Sequence, residues 1–121
     1  MTLMSIDGEF SVCQLRDCKQ VDLSVPFTFL SVTDDEISLV CKTSDVPTNT
    51  ARVEHGWRTL KIAGVLDFGL IGIIAGISHL LAEHGISVFV ISTYNTDYVL
   101  VKAAGYEQAV RALELNGYEI N

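Results

Sequence analysis

Two segments of this chain read as the same strand–turn–strand, and that repetition constrains the fold more than any single motif. Residues 30–40 align without gaps on residues 91–101, at a constant offset of 61. Ser31 and Ser92, Leu39 and Leu100, and Val40 and Val101 are identical pairs, while Asp34/Asn95 and Glu36/Asp97 keep their character. Each copy is an apolar run, a short polar turn and a second apolar run, which is the pattern of a hairpin. In a chain of 121 residues, a repeated supersecondary unit leaves room for two half-size units.

The segments around the hairpins are unequal. In the second half, the apolar run 60–66 is bounded by Asp67. A helix over residues 70–84 follows, because Leu70, Ile73, Ile74, Ile77, Leu80 and Leu81 recur at helical spacing and Gly85 stands at its end. A second helix over residues 105–116 carries Tyr106, Ala109, Val110 and Leu113 on one face and stops at Asn116-Gly117. Residues 118–120 add a short edge strand. The first half offers a strand over residues 10–15, but residues 16–24 are too few for a crossover helix, so a loop is expected there. Residues 43–56, with Pro47 and Asn49, read as a linker holding at most a turn of helix.

The second half therefore reads β-α-β-β-α-(β), the split βαβ or ferredoxin-like order. The first half is a truncated β-(loop)-ββ copy. The expected fold class is α+β, with antiparallel sheets and helices on one face. Residues 1–50 form the truncated half and residues 51–121 the complete one, the two packed as one unit.

Composition excludes several functions. Hydrophobic residues make up 49% of the chain, too many for a disordered segment. The formal net charge of −7, with only eight scattered Lys and Arg, argues against nucleic acid and anionic membranes as partners. The apolar stretch 62–82 is interrupted by Asp67 and four glycines, and reads as strand, turn and helix in a protein core. Cys13, Cys18 and Cys41 are an odd set, and Met1 to Glu9 carries Asp7 and Glu9 and no Lys or Arg, so a reducing, cytoplasmic setting is expected. His79 and His84 are five apart, the wrong spacing for a helical zinc pair, and the cysteines have no zinc or redox spacing. No GxSxG, Walker A or GxGxxG sequence is present. The expectation is a non-enzyme without metal or cofactor.

Two constellations point to a small ligand. Gly64, Gly69, Gly72 and Gly76 cluster at the strand-to-helix junction around Asp67 and Phe68. A helix start exposes unpaired N–H groups and the positive end of its dipole, and glycine lets a carboxylate approach them. Asp67 has a second reading as the cap of those N–H groups, and Gly72 and Gly76 a second reading as a small-residue packing stripe. The other constellation is Ser92-Thr93-Tyr94-Asn95-Thr96-Asp97, polar between two very apolar strands. It reads either as an ordinary turn or as a site for a zwitterion. In the latter, Asp97 faces an ammonium or guanidinium, Thr93 and Asn95 hydrogen-bond, and Tyr94 forms a wall.

The run Gly85-Ile86-Ser87-Val88-Phe89-Val90-Ile91-Ser92-Thr93-Tyr94-Asn95-Thr96-Asp97-Tyr98-Val99-Leu100-Val101 strongly resembles the signature of ACT domain proteins, above all small stand-alone bacterial ones. Val53-Glu54-His55-Gly56-Trp57-Arg58 and Leu66-Asp67-Phe68 resemble the same family, as does the stretch from Asp34 to Cys41. The tandem form resembles aspartate kinase regulatory regions and eukaryotic arginine sensors. The resemblance implies a regulatory module that binds an amino acid between domains. Its contacts would come from the loop Asp67-Phe68-Gly69-Leu70 and from Thr93, Tyr94, Asn95 and Asp97. It also fits an ACT fold kept for dimerisation or interaction without a ligand. A homodimer is expected in either case, since open sheet edges tend to be paired and closed two-fold dimers are the commonest oligomers.

Overall fold

The computed structural model describes residues 1–67 and 69–121. Its strands are β1 (Thr2–Leu15), β2 (Phe29–Val32), β3 (Ile37–Lys42), β4 (Thr50–Ile62), β5 (Val88–Ser92), β6 (Asp97–Lys102) and β7 (Glu119–Ile120). Helix α1 spans Ile73–Glu83 and α2 spans Tyr106–Leu115, with short 3-10 turns at Thr43–Asp45 and Ala103–Gly105. This is the α+β, ferredoxin-like class expected from the sequence.

Both hairpins, β2–β3 and β5–β6, are present, and each turn is closed by a threonine. Thr33 N–H donates to the Glu36 carbonyl at 2.9 Å, and Thr93 N–H to the Thr96 carbonyl at 2.8 Å. The threonine hydroxyl donates to the same carbonyl in both turns. The flanking pairs are Val32 with Ile37 and Ser92 with Asp97. All these features, and the 3-10 turns that follow, are separated by 60 residues, which corrects the offset of 61. At 60, Phe29/Phe89, Thr33/Thr93 and Lys42/Lys102 coincide. The reason for the slip is physical. Apolar strand residues substitute freely for one another, so they align at several offsets, whereas turn closure fixes the count. One residue of slip exchanges the two faces of a strand.

The contacts divide the chain into two compact units, one of Gly8–Trp57 and one of Met1–Asp7 with Arg58–Asn121. A division between residues 50 and 51 does not anticipate that the first seven residues belong with the C-terminal half. In the larger unit the strand order is β7-β1-β4-β6-β5. The pairing is antiparallel for β5 with β6, but β7 runs parallel to β1, with Thr2 beside Glu119 and Leu3 beside Ile120. Leu3, Leu60, Ile62, Val99 and Val101 lie on one sheet face, where they are buried with Ile77 and Leu81 of α1 and Ala109 and Leu113 of α2. Each helix ends in a Schellman arrangement. Ile86 N–H donates to Leu81 O and Tyr118 N–H to Leu113 O, with Gly85 (φ +70°) and Gly117 (φ +92°) in the left-handed region between.

In the smaller unit the order is β2-β3-β1-β4. Cys13, Leu15, Leu39 and Cys41 form its core, joined by Val21, Leu30, Ile37 and Val46. Residues 43–56 are not a linker. After the 3-10 turn, β4 already begins at Thr50. Residues 51–55 are exposed, so no apolar alternation announces this part of the strand. Backbone pairing to β1 holds it, as the Arg16 N–H to Asn49 O bond at 3.1 Å beside it illustrates.

Glycine at 85 and at 76 should respond oppositely to alanine. Gly85→Ala forces a side chain into the left-handed region, a cost of about 1 kcal/mol. Gly76 lies within α1, where an added Cβ meets only the Tyr118 hydroxyl at 3.6 Å, an ordinary contact. Thermal unfolding should show Gly85→Ala melting below the native chain and Gly76→Ala at or above it.

Candidate ligand site in the C-terminal unit

Helix α1 starts later than its apolar spacing suggests. Gly72 is its N-cap at φ +83°, and the first helical residue is Ile73. Gly76 N–H donates to Gly72 O at 2.9 Å as the helix closes its first turn. Residues 70–72 therefore lie outside the helix, and Gly72 does not share a helix face with Gly76. Asp67 is engaged earlier. Its carboxylate accepts Gly69 N–H at 2.6 Å and its carbonyl accepts Leu70 N–H at 3.0 Å. Those two N–H groups, in the loop expected to contact a ligand, are thus occupied by Asp67 itself. The N-cap glycine has no side chain, and no side-chain cap bonds the helix start. The first-turn backbone donors of the helix belong to Ile73, Ile74 and Ala75.

A cavity of about 400 Å³ opens at this helix start. On one side it is lined by Leu66, Asp67, Leu70 and residues 72–75, and on the other by residues 92–97. The two constellations singled out in the sequence thus meet across one cavity. Of the expected site residues, Asp67, Leu70, Thr93, Tyr94, Asn95 and Asp97 line it. Gly69 is not among the lining residues, and an added Cβ there would sit 3.1 Å from the Asp67 carboxylate. Phe68 lies outside the described residues. The sequence placed Gly72, Ser92 and Thr96 in the two constellations without giving them a ligand contact, and gave Leu66 and Ile73 to Ala75 no part in the site. Gly72 followed by the Ile73/Ile74/Ile77 spacing was the available signal for the true helix start.

The two sides are tied together. Leu66 N–H donates to Asn95 O at 2.7 Å, and the Thr96 hydroxyl donates to Ile62 O at 2.7 Å. Thr96 is buried, at 3% exposure, whereas Tyr94 is 80% exposed. Leu70, which lines the cavity, is 54% exposed, and its chain neighbour Ile71 is 95% exposed. Asp67 and Asp97 are the charged lining groups, and no Lys or Arg is among them.

The smaller unit holds other chemistry-bearing groups. Ser11 Oγ lies 2.6 Å from His55 Nδ1 and 2.8 Å from Thr43 Oγ1, a nucleophile-and-base juxtaposition not apparent from the sequence. Ser11 is fully buried, which keeps a substrate from it. Cys41 lines a second cavity of about 180 Å³. Burial, reinforced by neighbouring Cys13 and Asp45, pushes its thiol up to about 12. Burial also raises Cys13. Among the described residues, no cluster of three or more His, Cys, Asp or Glu is placed to hold a metal ion, and no helix is long and apolar enough to cross a membrane.

A family model described as ACT domain matches residues 52–114, just over half of the chain. The chain belongs to the ACT domain family. A solved protein from Agobacterium tumefaciens is 28% identical with a TM-score of 0.87, over 99% of this chain and 91% of that one. A protein of unknown function from Vibrio cholerae shares the fold at 23% identity and a TM-score of 0.73, covering 93% and 87%. The ligand-free regulatory subunit of aspartate kinase from Thermus thermophilus shares it at 10% identity and a TM-score of 0.66, covering 93% and 95%. No curated protein matches the chain significantly.

The thiols of this ACT protein should separate cleanly. At pH 8 a thiol reagent should label exposed Cys18 and leave Cys13 and Cys41 until the chain unfolds. The unfolded Cys41 thiol ionises near 9 and the folded one near about 12, so the unfolded state alone gains by ionising between them. Stability should fall as the pH rises through that window, measured by denaturant unfolding with Cys41→Ser as the control.

Proposed function

We propose that this chain is a regulatory ACT module that binds a free amino acid in the cavity between the α1 N-terminus and residues 92–97. The observation that carries this reading is the pairing of opposite electrostatic features across one space. Uncapped backbone donors and the helix dipole at Ile73–Ala75 favour a carboxylate. The Asp97 carboxylate, on the facing wall, favours an ammonium group. A zwitterion satisfies both at once. With Asp67 as a second carboxylate and no Lys or Arg among the lining residues, an amino acid with a cationic side chain complements the site best.

The working form is a homodimer with the ligand at an interface between ACT domains. Strand β5 ends the order of its sheet, and its Val88-Phe89-Val90-Ile91 carries none of the charges or prolines that protect an exposed edge. The exposed Leu70 and Ile71 beside the cavity also favour a second reading, an interaction module that needs no ligand. Both readings place the protein in a cytoplasmic, non-catalytic role.

A thermal-shift screen against the twenty amino acids separates the two. A ligand at one hundred times its dissociation constant should stabilise the protein by about 2.7 kcal/mol. For the best ligand, Asp97→Ala should weaken binding by about tenfold to a hundredfold in calorimetry, from loss of a charge-assisted hydrogen bond. Gly69→Val should weaken it too, by pushing the Asp67 carboxylate out of its place. Absence of any shift across the screen would leave the interaction module standing, and a monomeric mass by light scattering would remove the dimer.

A further inference from the structure

We infer that Thr96 is the positioning residue of the C-terminal cavity, acting through its hydroxyl on the opposite wall. The inference rests on the amino-acid-binding reading only for its consequence in affinity. Its structural basis is independent.

Thr96 is one of three buried polar residues in the larger and smaller units together, with Ser11 and Thr59, among the described residues. Its hydroxyl is spent on the Ile62 carbonyl at 2.7 Å, across 34 residues of sequence. Ile62 is the last residue of β4, after which the chain leaves the sheet to form the Asp67 wall. Ile62 is fully buried, and a buried carbonyl needs a donor. Thr96 supplies it from the turn that forms the other wall. The neighbouring Asn95 carbonyl accepts Leu66 N–H at 2.7 Å. The wall residues 62–66 and the turn 93–96 are therefore fixed to each other at two points, four residues apart.

The repeat provides an internal comparison. At the offset of 60, Glu36 stands where Thr96 does. Both turns close alike, through Thr33 and Thr93, so turn closure does not require the Thr96 hydroxyl. Glu36 is exposed, and an ionised carboxylate cannot donate a hydrogen bond. The hydroxyl at 96 thus belongs to the cavity and not to the hairpin.

The test compares Thr96→Val, which keeps the shape and removes the donor, with Thr96→Ser, which keeps the donor and removes the methyl. In the full chain, amide hydrogen exchange is followed at Leu66 and at core Val99, and binding of L-arginine is followed by calorimetry. Thr96→Val should speed exchange at Leu66 by about tenfold while leaving Val99 unchanged, and weaken L-arginine by about tenfold. Thr96→Ser should restore both. Equal Leu66 exchange in Thr96→Val and the native chain overturns the inference. So does a serine variant that behaves like valine, because packing of the methyl would then be the cause. If the native chain does not bind L-arginine, the cationic-ligand reading fails, and Leu66 exchange still decides the role of Thr96.

Discussion

The left-handed conformation of Gly72 determines where α1 begins, and the candidate site follows from that. At φ +83°, this position strongly disfavours a side chain. The helix is thereby delayed past Asp67, whose carboxylate and carbonyl are consumed by Gly69 and Leu70 in the preceding turn. The first helical N–H groups come after that turn and receive no side-chain cap. A side-chain oxygen at an N-cap accepts from only one or two of these groups, and glycine supplies none. With glycine there, donors and dipole face the cavity.

Around that start, the fold holds both walls of the cavity in place with few interactions. The core of the larger unit locks α1 through Ile77 and Leu81 against Leu60, Ile62, Val99 and Val101. The Schellman end at Gly85 returns the chain directly into β5. Turn 93–96 then comes back to the end of β4 by way of the Thr96 and Asn95 bonds. The smaller unit repeats the hairpin with the same threonine closure but has a loop in place of the crossover helix. Its core is completed by Val21 and Val46, and burial raises the pKa of its thiols.

Much of this was legible in the residues. The two hairpins, the helix faces, the glycine stops at 85 and 117 and the ferredoxin-like order all rest on local patterns, and local patterns survive into the structure. Strand β4 before Trp57 was not legible, because exposed residues 51–55 carry no burial signature and the strand is held by a distant partner. The offset of the repeat slipped by one because Leu, Val and Ile align interchangeably, whereas the closure of the turns does not. At the site, the two segments singled out in the sequence line one cavity, while the Gly69 and Leu70 N–H groups are engaged by Asp67. Leu70 has the helical spacing of its neighbours, and only the backbone of Gly72 reveals that the helix has not yet begun. The roles of Thr96 and Leu66 depend on contacts about 30 residues apart in sequence, which periodicity does not report.

The central claim is that the backbone at the start of α1 receives the carboxylate of a free amino acid. The most direct measurement is amide chemical-shift mapping of the isotopically labelled chain as L-arginine is added, with agmatine, its decarboxylated analogue, as the comparison. The account predicts saturable shifts at Ile73, Ile74 and Ala75 together with Thr93 to Asp97, and their loss at the helix start with agmatine. Shifts that bypass Ile73–Ala75, or that are the same with and without the carboxylate, would contradict it.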